Sequence, residues 1–479
     1  MFRERCKSFM GTASTRDLTK GKIFGTLLHL SIPIAGGQVM QMAYNLMDMF
    51  WLGRYSSQAV AAAGAAGLFM WLSVGLLMVG RIGAEVGVAQ ARGRGDLGEA
   101  YDYARTAIFI ALGLGTLYGV FLFSFRGLLV GIIDFEEAHV AIDTMTYMAT
   151  IAFGMPAMYV SAAVTGVFVS SGNARTPFLI NAGGLILNMI LTPIFIWTLG
   201  LGVMGAAASS SVAKIAVMCV NLAAIRWHRE RPFAEFRFFA RLHHFDKFKQ
   251  RYIDILHNIR AGTANKIFRL TWPVSLENTI WPLFTIAVTR VEVGFGASAL
   301  SMSRVGTQVE SLSWLVGAGF GAALTAFVGQ NFGAGFFDRI AKAVRYSTCF
   351  LIGWGLLVTS ILWFGAEIIF AVFLPEYAVD PEKRQLFVLY MRILAASQVF
   401  ANLEYVASNT FRGMGRTLPP SVVSITSNVI RVPLAFFLSR TPLGVLGVWI
   451  AVSGTSGLRG IGSCIWYFIE AKRGAFIRR

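Results

Sequence analysis

Apolar stretches separated by charged or Gly/Pro-rich joints follow one another along the whole chain. About twelve are long enough to cross a hydrocarbon layer of roughly 30 Å. Their approximate limits are 24–52, 57–88, 103–124, 139–170, 176–198, 203–226, 267–290, 297–328, 344–366, 386–411, 418–438 and 444–470. This pattern predicts an all-α polytopic membrane protein with about twelve transmembrane helices. The first segment departs from uniform greasiness. In SIPIAGGQVMQMAYNLMDMFWLGR, from Ser31 to Arg54, the residues Gln38, Gln41, Asn45 and Asp48 fall within an arc of about 80° at 100° per residue, so one polar stripe runs along an apolar helix. A carboxylate at membrane depth costs several kcal/mol unless it is neutralised or lines a wet cavity, which marks Asp48 as part of an ion or proton pathway. The plainer alternative is that Asp48 reaches interfacial water at the helix end.

Composition agrees. Of 479 residues 55% are hydrophobic and 14% charged, with a mean hydropathy of +0.61, which sets the chain apart from a soluble enzyme with a large core. The net charge of +17 does not indicate nucleic acid, because the basic residues gather in loops on alternate sides of the spans, the positive-inside pattern. Arg3, Arg5, Lys7, Arg16, Lys20 and Lys22 precede the first span without the short apolar core and cleavage site of a signal peptide, so the N-terminus is expected in the cytoplasm. An even number of spans returns Lys472, Arg473, Arg478 and Arg479 to the same side, while Asp134, Glu136, Glu137, Glu376 and Asp380 fall in the opposite loops. Cys6, Cys219, Cys349 and Cys464 are scattered singly and suggest neither disulfide nor zinc site.

The longest polar connection, between the sixth and seventh spans, carries Phe238, Leu242, Phe245 and Phe248 among Arg237, Arg241, Lys247, Lys249 and Arg251. That mixture predicts an amphipathic helix lying on anionic lipid. The connection also divides two related halves. Pro33 and Pro273, Gln90 and Gln330, Gly93 and Gly333, and Pro193 and Pro433 are each separated by 240 positions; VAQARGRG is echoed by FVGQNFGAG, and GNARTP by GRTLPP. Repeats of six spans predict two pseudo-symmetric six-helix bundles related by an axis normal to the membrane. The implied organisation is a cytoplasmic tail (1–22), an N-terminal six-helix lobe (23–227), a basic amphipathic linker (228–265), a C-terminal six-helix lobe (266–470) and a second cytoplasmic tail (471–479).

Taken together, these words resemble the multidrug and toxic compound extrusion (MATE) family of transporters over nearly the whole chain. IPIAGGQVMQMAYNLMDMFWLGR is similar to the family's proline, glutamine, tyrosine-asparagine and aspartate pattern, and places Asp48 on the cation- or proton-coupling aspartate. VSSGNARTPFLINAGGLILNMILTPIFIW is similar to the family's Gly-Asp-Thr-Arg-Thr-Pro and Asn-x-x-x-Asp-Pro words, with Asn188 on the asparagine but Thr192 where many members carry a second aspartate. Ser210, in GVMGAAASS, stands where a threonine is frequent. The resemblance therefore implies a coupling site of Asp48, Asn188, Thr192 and Ser210. One acid among neutral oxygens suits Na⁺, K⁺ or a single proton, whereas paired carboxylates would share a proton. The implied substrate cavity adds Tyr44 to Gln38, Gln41 and Asn45, Asn181 on the Asn188 face, Gln308 and Glu310 in the eighth span, and Glu277 and Glu404, which lie on or near acids found in other members. For Glu277, Glu310 and Glu404 the alternative is structural ion pairing. Arg81 and Glu85, at i, i+4, are expected to neutralise each other, and a link between Arg304 and Glu310 is conceivable.

The function implied is a secondary active exporter of amphipathic, often cationic organic compounds by cation or proton exchange through alternating access. It implies a monomer in the plasma membrane, a bacterial inner membrane, with both termini cytoplasmic, dealing with membrane lipids, a small-molecule organic substrate and a coupling ion, and using no other cofactor and no nucleic acid. No Walker A word is present, which disfavours an ATP-driven pump. An intramembrane enzyme is also disfavoured, because His29, His139, His228, His243, His244 and His257 sit near span ends or in the basic linker. The rival within the wider superfamily is a flippase for a lipid-linked saccharide, for which Arg81, Arg290, Arg304 and Arg431 would attract anionic cargo.

Overall fold

The computed structural model describes residues 16–133, 135, 137–227, 261–377 and 380–473. The phenylalanine-rich part of the linker, the residues before Arg16, the chain after Arg473, and Asp134 and Glu136 lie outside the described residues. The first half comprises α1 Ile23–Tyr55, α2 Ser57–Leu72, α3 Val74–Gly93, α4 Leu97–Ile133, α5 Ala138–Ala152, α6 Met155–Ser170, α7 Arg175–Pro193 and α8 Gly202–Trp227. The second comprises α9 Ala261–Val293, α10 Ala297–Gly333, α11 Phe337–Phe364, α12 Ala366–Phe373, α13 Pro381–Gly413, α14 Leu418–Ser439 and α15 Val445–Lys472.

Among the described residues, nine helices are long and apolar enough to span a bilayer, and α5 with α6, bent by 49°, makes a tenth. Helices α9 and α15, of 33 and 28 residues, also have spanning length. Counting them gives the twelve expected from hydropathy. Two spans of the first half are broken. The second breaks between α2 and α3 at Ser73, whose carbonyl accepts the Tyr159 hydroxyl at 3.0 Å, so the break leaves that group satisfied inside the bundle. The fourth turns at Phe153–Gly154 with Pro156 in the first turn of α6. Several helices run past the predicted limits. The third span extends over Leu97–Ile133 because helical hydrogen bonding continues through the polar ends that hydropathy trims.

Helix α4 packs on α3 and α6, and α8 on α5, α6 and α7; in the second half α13 packs on α10, α11 and α15, and α14 on α15. The two sets meet through α1 against α10, α9 against α3, and α3 against α10. Lipid gives no hydrophobic reward for helix association, so close packing at small residues must hold this seam. The repeated words lie on it. A Cβ on Gly93 would stand 2.0 Å from the Gln330 carbonyl oxygen, and one on Gly333 would stand 2.1 Å from that of Gln90. Only glycine permits either approach. The two glutamines bond across the seam in the same reciprocal manner: Gln90 Nε2 donates to the Gly413 carbonyl at 2.9 Å, and Gln330 Nε2 to that of Ser170 at 2.6 Å. The symmetry is broken by the segment before α1. Leu18 is fully buried, its N–H donates to Gln330 Oε1 at 2.9 Å, and its carbonyl accepts Asn331 Nδ2 at 3.1 Å.

Candidate functional site

Asp48 lies in the last third of α1, half-buried, where Ser210 of α8 donates its hydroxyl to Oδ2 at 2.9 Å. Asn188 of α7 is fully buried and donates Nδ2 to the same serine oxygen at 3.2 Å. Tyr44, one turn before Asp48 on α1, donates its hydroxyl to the Ser210 carbonyl at 3.4 Å. Three helices thus converge on Ser210. The second oxygen of Asp48, Oδ1, and the side-chain oxygen of Asn188 are both buried without a hydrogen bond. Buried acceptors are nearly always satisfied, so two such oxygens beside one carboxylate are suited to receiving a proton or a hard monovalent cation.

Thr192 occupies a different place from the one its alignment suggests. Its hydroxyl is engaged with the Asn188 carbonyl and with Ser209 Oγ, each at 2.8 Å, and it forms no hydrogen bond with Asp48. It braces α7 against α8 one turn from Asn188. Of the polar stripe, Gln41 donates to Asn45 at 3.4 Å and both side chains are exposed, whereas Gln38 is half-buried. Asn181 is exposed and bonds back to the Pro177 carbonyl of its own helix. Gln308 reaches across the seam to Met42 Sδ at 3.8 Å.

The acids of the second lobe have partners. Glu277 of α9 pairs with Arg412 of α13 at 3.3 Å and accepts the Ser421 hydroxyl of α14 at 2.9 Å. Glu404 of α13, 7% exposed, pairs with Arg459 of α15 at 3.1 Å. Glu310 of α10 accepts Gln398 Nε2 at 3.0 Å and lies in the field of Arg431 and Arg459. Arg431 donates to Thr455 and Ser456 of α15 at 2.8 and 2.9 Å. Each acid is therefore matched by a fixed cation or donor, the pairing alternative raised by the sequence. Two side-chain links differ from expectation. Arg81 and Glu85 form no ion pair within 4.0 Å; instead Glu85, buried among glycines and alanines of α3, lies in the field of both Arg81 and Arg412. Arg304 acts on Glu292, not on Glu310, because Glu292 stands near the end of α9 beside Ser303 and Trp449, bonded to both.

Sequence reasoning passed over Glu292, Tyr147 and Lys214. Lys214 had a legible signal, since it is a lone lysine near the middle of an apolar span, one turn beyond Ser210. Tyr147 is buried on α5 within the electrostatic reach of Asp48 and Tyr44. Nothing in its local sequence distinguishes it from core aromatics.

Comparison with known proteins places this arrangement in a context. The family model described as MatE matches residues 33–194 and 273–437, one stretch in each half. The chain is 25% identical over 89% of its length to a probable multidrug resistance protein NorM of Thermotoga maritima, 88% of which is covered. It is also 25% identical to a probable multidrug resistance protein YoeA of Bacillus subtilis, with 91% of each chain covered. Among solved structures, one titled as MATE in the bent conformation superposes with a TM-score of 0.82 at 20% identity, covering 96% of this chain and 98% of the other.

Proposed function

The chain belongs to the multidrug and toxic compound extrusion (MATE) family of membrane transporters, and on that premise we propose that it is a secondary active exporter of amphipathic, often cationic organic compounds. Export is coupled to the entry of a cation or a proton and proceeds by alternating access between the two lobes, in the plasma membrane, with both termini in the cytoplasm. The observation that carries this reading is the convergence of α1, α7 and α8 on one intramembrane carboxylate with two unbonded buried oxygens, Asp48 Oδ1 and Asn188 Oδ1. An ion arriving there changes the charge of a site built from three helices of one lobe, and so biases how that lobe packs against the other.

The reciprocal bonds of Gln90 and Gln330 support alternating access from the opposite direction. They join the lobes at the end from which α1 departs and at which α3 and α10 finish. With the N-terminus in the cytoplasm, they close the inner side, and they have to part for the inner side to open. Of the four arginines that would favour anionic, flippase-type cargo, Arg431 is bonded to Thr455 and Ser456, Arg304 and Arg81 act electrostatically on Glu292 and Glu85, and Arg290 is exposed. This distribution favours the exporter.

The experiment is efflux of cationic dyes from proteoliposomes under imposed Na⁺, K⁺ and pH gradients, for the wild type and Asp48→Asn. The substitution keeps the shape and hydrogen-bonding capacity of the side chain but removes its charge. Efflux against a gradient is expected to collapse while the variant keeps its thermal unfolding temperature. An Asp48→Asn protein that concentrates dye at the wild-type rate would overturn the assignment.

A further inference from the structure

Lys214 sits near the middle of α8, half-buried, at a depth where an ammonium is costly without a purpose. It is one helical turn from Ser210, so both side chains emerge on the face of α8 turned toward Asp48. Ser210 bonds directly to the carboxylate; Lys214 forms no ion pair with it within 4.0 Å, yet each acts on the other electrostatically, and no second cation acts on Asp48. The other titratable groups facing the site are the phenols Tyr44 from α1 and Tyr147 from α5. Asn188 from α7 and Ser210 from α8 complete it without charge. The set therefore already contains one negative and one positive charge before any ion arrives.

The second lobe repeats the arrangement by a different route. LGVMG at 201–205 and LGVLG at 443–447 set the two last spans in register, with Gly202 and Gly444 both at positive φ, 53° and 54°. In that register the counterpart of Lys214 is Ser456, and it is Ser456 that Arg431 contacts, at 2.9 Å, while acting on Glu310. Each lobe thus holds a cation at this level that acts on an acid: Lys214 on Asp48 in the first, and Arg431, together with Arg459, on Glu310 in the second. Lys214 comes from the sixth span of its lobe and Arg431 from the fifth.

We propose that Lys214 is the resident counter-ion of the first-lobe site: its tethered ammonium supplies the positive charge beside Asp48, so that Na⁺ and K⁺ are refused there and their gradients do not drive transport. The inference rests on the assignment of Asp48 as the coupling acid. A like charge beyond ion-pair distance but still acting on a partly buried site weakens cation binding by about tenfold or more. Asp48 Oδ1 and Asn188 Oδ1 would otherwise make an oxygen-lined seat of the kind alkali cations favour.

The test is binding of radiolabelled Na⁺ to the purified full chain in nanodiscs, for the wild type, Lys214→Arg, Lys214→Gln, Lys214→Met and the double variant Asp48→Asn/Lys214→Gln. The wild type and Lys214→Arg are expected to bind no more Na⁺ than the double variant. Lys214→Gln or Lys214→Met is expected to gain at least about tenfold in affinity, with the gain abolished by Asp48→Asn. Two neutral replacements are included so that one poorly folded variant does not leave the comparison open. Equal, Asp48-dependent Na⁺ binding by the wild type and the neutral variants would overturn the role of Lys214. Failure of the parent assignment registers separately, as wild-type dye efflux by Asp48→Asn in proteoliposomes, whereas Na⁺ binding decides the counter-ion alone.

Discussion

Gln330 and Gln90 stand at equivalent positions of the repeat, yet the structure predicts unequal consequences for removing them. Gln330→Ala deletes the donor to the Ser170 carbonyl and the acceptor of the Leu18 N–H, both in a site where Gln330 is only 2% exposed. A buried group left without its hydrogen bond costs about 1–3 kcal/mol, so two such groups cost about 2–6 kcal/mol. Gln90→Ala deletes one bond, to the Gly413 carbonyl, at a half-buried position, and falls at about 1–2 kcal/mol. Both losses fall on the arrangement in which these ends of the lobes touch, and neither falls on one in which they have parted. The difference of about 1–4 kcal/mol corresponds to roughly 5- to 700-fold in the ratio of touching to parted molecules. The measurement is the distance distribution between spin labels at exposed Leu97 and Phe336, on a background in which the native cysteines are replaced. Gln330→Ala should populate long distances far more than Gln90→Ala, and Gln90→Ala slightly more than the wild type. Equal shifts for the two variants would refute the claim that the segment around Leu18 reinforces one side of the seam, and absence of any shift would refute the claim that the Gln90 and Gln330 bonds hold the lobes together at this end.

Two further outcomes follow from ion pairs and caps. Glu404→Gln leaves Arg459 without its partner at 3.1 Å in a mostly buried setting and should destabilise the protein by about 3–5 kcal/mol in thermal unfolding, whereas Glu404→Gln/Arg459→Met should recover most of that loss. Asp380 caps α13, and the backbone N–H of Lys383, then its side chain, hold its carboxyl below the usual aspartate range. The cap's contribution is therefore complete above the ordinary aspartate pKa and is lost as pH falls through the lowered value. Unfolding temperature measured against pH should show an acid-side decline that is smaller in Asp380→Asn.

Class, approximate span positions and internal repeat were legible in the chain itself because each depends on local periodicity. A backbone in lipid must satisfy its own hydrogen bonds, so long apolar runs have one structural outcome, and a duplicated set of spans keeps its spacing of 240 positions. The prominence of Asp48 was legible for the same reason, since a carboxylate in such a run is conspicuous whatever surrounds it. The repeated Gln and Gly words could be aligned but not explained. Their reason emerges only when α3 and α10 meet, because two backbones have to come within reach of one another before a Cβ becomes an obstruction.

Partnership was the tertiary structure's to decide. Residues 48, 188 and 210 belong to three helices, and their meeting at one hydroxyl depends on how α1, α7 and α8 cross. Thr192, one turn from Asn188, bonds instead to Ser209, because the packing of α7 on α8 brings their hydroxyls within 2.8 Å of each other. Arg81 and Glu85 had the spacing of an ion pair, but their fields are shared with Arg412 from the other lobe, which no i, i+4 rule contains. Sequence determines which side chains a membrane makes expensive. Which of them compensate one another is settled by helix packing, because only packing brings charges from distant parts of the chain within the few ångström over which they matter.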